Sequence, residues 1–171
     1  HRWVHNDVAK RYSRLITCKI DGTDMKIFPT NGMVSHFVWD KINGILAYCR
    51  INNIDGHYIF HNANPTNYKG IAIKKLNSDG HQHFIPNSKL FITDTYPNQR
   101  RYAKLFVVNT DTEEVTQIAN VKSLKKYQTR HPLRHWACDL HPRVNQAGTM
   151  TCFDSVHTGN RSLCFLKFNN K

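Results

Sequence analysis

The sequence predicts an all-β fold, a β-propeller of four-stranded antiparallel blades, and three observations carry that expectation. Helical periodicity is nearly absent. In its place, short runs rich in β-branched and aromatic residues are punctuated by Gly, Asn, Asp and Pro; examples are Leu15-Ile16-Thr17-Cys18, Ile45-Leu46-Ala47-Tyr48, Leu90-Phe91-Ile92-Thr93, Leu105-Phe106-Val107-Val108 and Ser162-Leu163-Cys164-Phe165. Three segments also repeat one plan: a His, an apolar or aromatic strand, a polar turn and a second apolar strand. Finally, the interval from His36 to His81 fits one propeller blade, and the longer one from His81 to His141 requires an insertion, which Lys122–Trp136 supplies.

In chain order, His1–Val4 reads as the end of a strand. Leu15–Ile20 and Met25–Phe28 form a hairpin around Asp21-Gly22, a dipeptide suited to a tight turn. The first full repeat runs from Ser35-His36-Phe37-Val38-Trp39 through a turn at Asp40–Gly44 to Cys49, with third and fourth strands at His57–Phe60 and Gly70–Ile73. The second runs from Gly80-His81-Gln82-His83-Phe84 through Pro86–Ser88 to Asp94, with further strands at Ala103–Val108 and Val115–Ile118. Val121–Tyr127 reads as a short helix or a loop. The third runs from Leu140-His141-Pro142-Arg143-Val144 through Asn145–Gly148 to Asp154, and Ser162–Phe168 is its last strand.

The expectation is therefore a single domain, residues 1–171, forming the C-terminal part of a larger propeller: a partial ring of about three and a half blades. The blades fall at about 1–30 (partial), 33–75, 78–120 and 137–171, the last lacking its outer strand. A missing outer strand is expected where an N-terminal segment closes the ring, and a chain opening on His1 reads as a fragment or a processed product. A small closed β-sandwich and a four-bladed ring are the alternatives compatible with the same pattern.

Composition narrows the function. Of 171 residues, 40% are hydrophobic and 21% charged, enough for a packed core and unlike a disordered chain. No apolar run approaches the roughly 18 residues of a membrane span, and no basic-then-apolar leader is visible. Lys and Arg number 24 against 12 Asp and Glu, a net charge of +12, which disfavours a cationic partner and favours nucleic acid, an anionic surface or an acidic substrate. Nucleotide-binding glycine loops, nucleophile elbows and the aromatic-plus-basic signatures of RNA binding are absent, so nucleic acid is the weaker choice. The five Cys (Cys18, Cys49, Cys138, Cys152, Cys164) are odd in number and form no C-x-x-C pair. Cys18, Cys49, Cys152 and Cys164 lie beside apolar runs and read as buried free thiols, which suits a reducing, cytoplasmic setting. Asn160-Arg161-Ser162 matches a glycosylation sequon by pattern alone.

His36, His81 and His141 occupy equivalent places at the start of the innermost strands. In a propeller those strands line the central channel, so the three imidazoles are expected to converge. Asp139, two residues before His141, is expected on the same face of the same strand. Imidazoles with a carboxylate suit a divalent transition metal; blade-to-blade hydrogen bonding is the structural alternative. His83, His131, His135 and His157 read as loop or surface residues, and Arg100, Arg101, Lys122, Lys125 and Lys126 as a solvated face.

These residues resemble a known family. The ordered set His36-x-x-Trp39, His81 and Asp139-Leu140-His141-Pro142, each opening a blade, is similar to the C-terminal half of the oligogalacturonate lyases, seven-bladed propeller enzymes that degrade short pectin fragments. The similarity runs from Arg14 to Phe168. It implies a manganese-type ion held by His81, Asp139 and His141, with His36 near the substrate. Arg14, at the head of the strand leading to Asp21-Gly22, matches the residue proposed to abstract a proton, with Arg11 the second choice. Arg11, Arg143 and Trp39 are then expected to contact an acidic oligosaccharide. Two positions depart from the family pattern: Asp139 stands where the family has His, and Trp136 where it has a ligand Gln. The implied reaction is β-elimination from a uronate, aided by a Lewis-acid metal and a base near C5. The alternatives are a non-catalytic binding or scaffold propeller and a module that binds anionic surfaces or nucleic acid. Half a ring would also expose sheet edges, inviting self-association.

Overall fold

The computed structural model describes residues 2–3, 6–7, 10–40, 42–128 and 137–168. His131, His135 and Trp136 lie outside the described residues. Within them the chain is all-β and antiparallel, with 3-10 turns at His61–Ala63 and Lys125–Tyr127 and no α-helix. No helix is long and apolar enough to cross a membrane. The chain divides into two compact units, residues 1–77 and 78–171.

The first unit holds two short ladders and one full sheet. β1 (Arg2–Trp3) pairs with β2 (Tyr12–Ser13), and β3 (Ile16–Thr17) with β4 (Lys26–Ile27). The hairpin expected around Asp21-Gly22 forms, but its loop is longer than two residues. The Gly22 amide donates to the Lys19 carbonyl, and the Lys19 amide to that of Thr23. Gly22 takes a φ of 82°, the left-handed conformation that glycine adopts without steric cost. Leu15–Ile20 is thus not one strand: Lys19 to Gly22 make the turn, and Leu15 is buried between β2 and β3.

The full sheet has the order β5 (Val34–Asp40), β6 (Gly44–Ile51), β7 (Ile54–Phe60), β8 (Tyr68–Ile71). Its first turn is fastened by Asp40, whose Oδ1 accepts the Ile42 and Asn43 amides at 2.8 and 2.7 Å. β6 is almost wholly buried, which explains why Gly44–Ile51 reads as a near-continuous apolar run rather than an alternation. Leu15 and Phe28 pack against Ile45, Ala47, Cys49 and Phe60 of this sheet, with Phe28 edge-on to Phe60 at 4.9 Å.

The second unit repeats the pattern. β9 (His83–Phe84), β10 (Leu90–Asp94), β11 (Tyr102–Asn109) and β12 (Val115–Lys122) form a four-stranded sheet in sequence order. β13 (Arg143–Val144), β14 (Met150–Ser155) and β15 (Ser162–Lys167) form a three-stranded one. The two pack together through Ala103, Leu105, Leu140 and Phe153, and through Ile85, Ile92 and Val144. β12 runs to Lys122 because Val121 and Lys122 still pair with Ala103 and Tyr102, so the short helix or loop expected from Val121 begins later, as the 3-10 turn at Lys125.

No cysteine among the five is disulfide-bonded, as expected, but their burial is uneven. Cys49 and Cys138 are buried, Cys152 and Cys164 half-buried, and Cys18 exposed. Cys18 follows β3 directly and enters the turn, so it lies outside the core its apolar neighbours suggested. Burial, and then the nearby Asp55 carboxylate, pushes the Cys49 thiol up from the ordinary 9.0 to about 12. Brief iodoacetamide treatment of the folded protein at pH 8, read by mass spectrometry, should therefore label Cys18 and spare Cys49, which reacts only after denaturation. Unfolding returns the Cys49 thiol to its ordinary value, so stability should fall as pH rises from about 9 towards 12.

Candidate metal centre

The site is built on two segments of the second unit that lead from loops into strands. His81 lies two residues before β9, and His141 two residues before β13, equivalent places in the two sheets. Gly80 lets the first segment close against β10: a Cβ there would sit 2.0 Å from the Asp94 carbonyl oxygen, so any side chain would drive the segment off the strand.

Asp94, the last residue of β10 and 1% exposed, holds both segments. One carboxylate oxygen accepts the His81 backbone amide at 2.6 Å, and the other accepts the His141 amide at 3.0 Å. Both lie 3.0 Å from His81 Nδ1. Two carboxylate oxygens facing Nδ1 favour a proton there, which in the neutral ring puts the lone pair on Nε2. A histidine tuned for metal ligation has this arrangement, with a buried carboxylate behind it.

His141 adopts a φ of 43°, uncommon for a residue with a side chain and costing on the order of 1 kcal/mol. Its backbone bond to Asp94 holds it there. The His141 ring lies 3.7 Å, centroid to centroid, from that of His81, tilted by 35°. Its Nδ1 faces the Asp139 carbonyl at 3.4 Å. One ligand atom each from His81, Asp139 and His141 falls within 4.8 Å of the others. Among the described residues no hydrogen bond or ion pair engages the Asp139 carboxylate. Two imidazoles and an uncommitted carboxylate are a donor set that divalent transition metals accept, with positions left over for water or substrate.

The structure thus brings together the three residues expected as ligands, but by a different route for Asp139. Residues 139–142 are not a strand, so Asp139 and His141 do not meet by sharing a strand face; the left-handed turn at His141 folds them towards each other. Arg143 starts β13 beside them, exposed, with Nη1 donating to the Pro142 carbonyl at 2.8 Å.

The other expected site residues belong to the first unit. His36 lies inside β5, not ahead of it, at an irregularity in the pairing with β6, with Nδ1 3.0 Å from Ser35 Oγ. It is not placed as His81 and His141 are. Trp39 projects from β5, 63% exposed. Arg14, half-buried between β2 and β3, donates from Nη2 to the Tyr12 hydroxyl at 3.0 Å and stacks on its ring. Arg11 is exposed just ahead of β2.

Compared with family models, curated proteins and solved structures, the chain matches none.

Asp94 is the residue sequence reasoning missed. It appeared only as the end of an apolar strand; a carboxylate closing a run as apolar as Leu90–Thr93 was the available signal, since a buried charge demands partners. Removing it leaves two amides and an imidazole N–H unsatisfied. Asp94→Ala should lower the unfolding free energy by about 3 kcal/mol in urea denaturation. Long-range proton–nitrogen NMR should also show His81 losing its fixed Nδ1–H tautomer, a change that packing loss alone would not produce.

Proposed function

We propose that the protein is a metal-dependent lyase acting by β-elimination on a uronate-containing oligosaccharide, related to the oligogalacturonate lyases, and that its sheets are blades of a β-propeller. One observation carries the proposal: His81 and the sequence-distant pair Asp139 and His141 present ligand atoms within 4.8 Å of one another. The blade reading is supported by two four-stranded sheets and one three-stranded sheet, each ordered as the chain runs, with successive sheets of the second unit packed together.

His81, Asp139 and His141 would hold the ion, of which manganese is the one the resemblance implies. When bound, such a metal supplies Lewis-acid stabilisation of a substrate carboxylate. The chain's own part is to fix the ligands. Asp94 sets the tautomer of His81 and the backbone of His141. The resemblance gives the role of base near C5 to Arg14, with His36 the alternative. Arginine is a reluctant base, because its guanidinium holds its proton strongly, and His36 is the chemically easier choice. The +12 charge favours a polyanionic substrate over a neutral glycan.

The protein stripped of metal and reloaded should retain manganese, measured by elemental analysis, and His81→Ala and His141→Ala should not. Unchanged metal in both variants would overturn the site and leave the scaffold reading, in which the histidines are structural. Arg14→Ala should keep its metal and slow formation of the unsaturated uronate, followed by ultraviolet absorbance, by about 10²–10⁴-fold; an unchanged rate would move that role to His36.

A further inference from the structure

One end of the β11–β12 hairpin gathers exposed cations. Arg100 precedes β11, Lys122 ends β12, and Lys125 and Lys126 lie in the 3-10 turn that follows; all four are exposed. Tyr102, also exposed, stands directly opposite Lys122 in the ladder. Residues 95–110 and 115–128, which build this end and both strands, contain no Asp or Glu. Asp111, Glu113 and Glu114 sit at the other end, between the two strands. β12 spans eight residues, so at about 3.3 Å per residue the two ends lie about 23 Å apart. That is well beyond a Debye length of about 8 Å, so the acids of the hairpin do not neutralise its cations. None of these residues belongs to the His81–Asp139–His141 triad.

Surface lysines ordinarily make a solvated face, and two observations set this group apart. The first is the lack of counterions. Elsewhere surface cations meet carboxylates: Lys10 lies 3.9 Å from Asp7, Lys26 3.9 Å from Asp24 and Arg50 2.6 Å from Asp55. Among the described residues no carboxylate pairs with Arg100, Lys122, Lys125 or Lys126. Opposite Lys122 stands Tyr102, where an acidic residue would have stabilised the strand pair. The second is anchoring. Lys122 Nζ donates to the Arg100 carbonyl at 2.9 Å and lies 4.6 Å from the centre of the Tyr102 ring. Lys126 Nζ lies 4.9 Å from the centre of the Tyr127 ring, and the Tyr127 hydroxyl donates to the Gly159 carbonyl, tying the 3-10 turn to the loop before β15. Between them Arg101, at a φ of 65°, is clamped across the strand ends, Nε donating to the Ser123 carbonyl and Nη2 to Ser123 Oγ, both at 3.0 Å. Like charges are thus held together at a cost in repulsion, which an anionic ligand removes.

We propose that this end of the hairpin binds single-stranded nucleic acid, its cations meeting successive phosphates while the exposed Tyr102 ring stacks an unpaired base. Lysine supplies a compact point charge, which a flexible phosphate backbone meets without fixed geometry. A tyrosine ring among cations adds a sequence-tolerant stacking surface. An acidic peptide would leave that ring unused, and a duplex keeps its bases paired and out of its reach. The sequence shows no RNA-binding signature because the residues come from a loop, two strands and a turn, spread over residues 100–127. The surface uses none of the metal ligands, so it stands independently of the lyase reading.

The test is fluorescence anisotropy of a labelled oligouridylate titrated with the full chain over a range of salt. Four cations on a single strand give a log–log salt slope of about −3, so affinity should fall about 50-fold between about 50 and 200 mM salt. The triple variant Lys122→Gln, Lys125→Gln, Lys126→Gln should reduce that slope to about −1 and melt as the wild type does. Lys19→Gln, Lys74→Gln, Lys75→Gln removes the same charge from exposed positions of the first unit and should bind within about twofold of the wild type. Tyr102→Leu should weaken binding about tenfold with the slope kept, and Tyr102→Phe should restore it. No binding by the wild type, or equal losses in the two triple variants, would overturn the proposal. Unchanged affinity in Tyr102→Leu, or equal displacement of the probe by polygalacturonate, would overturn it too, since the surface would then accept any polyanion. The Tyr102 pair and the competitor decide the matter even where the first triple variant melts early.

Discussion

The second unit depends on one buried carboxylate. Asp94 ends a strand whose other residues are apolar or small, and it would be costly there if unpaired. It is paired three ways, to the His81 amide, the His81 ring and the His141 amide. Two of those groups belong to the segment leading into its own sheet, and the third to the segment leading into the next. One side chain therefore fixes the relation between two successive sheets at the point where their histidines meet. The hydrophobic contacts of Leu140 and Phe153 with Ala103 and Leu105 bring the sheets together but are non-directional. The directional element is the carboxylate. It explains how two imidazoles come to lie 3.7 Å apart, and why His141 tolerates a left-handed backbone.

What could be read from the sequence follows from this division of labour. Burial leaves a periodic trace, so the strands were legible: Gly44–Ile51, Leu90–Asp94, Tyr102–Asn109 and Ser162–Lys167 fall where apolar runs predict them. The repeat was legible too, and with it the likeness of His81 and His141. Directional contacts leave no such trace. Asp94 looked like a strand terminus, because its partners lie thirteen and forty-seven positions away. His36 shares the repeat's pattern but lies within β5, since that strand begins at Val34 whereas β9 and β13 begin only after their histidines. Arg101 looked like one more surface cation, since neither a positive φ nor a clamp to Ser123 can be seen in an Arg-Arg dipeptide. Cys18 borders the apolar residues Leu15 and Ile16, which suggests the core, but the strand ends at Thr17 and Cys18 is exposed.

Electrostatics work on two scales here, and they have opposite signs. Over the whole chain cations outnumber carboxylates two to one, a field that draws in polyanions from a distance. Around the triad the balance reverses. Burial, and then the carboxylates of Asp79, Asp139 and Asp94, push the Tyr96 hydroxyl up to about 12, although the residue is 45% exposed. Two carboxylates, those of Asp94 and Asp139, lie beside two imidazoles in an otherwise basic protein, a local concentration of negative charge that acts within a Debye length of about 8 Å.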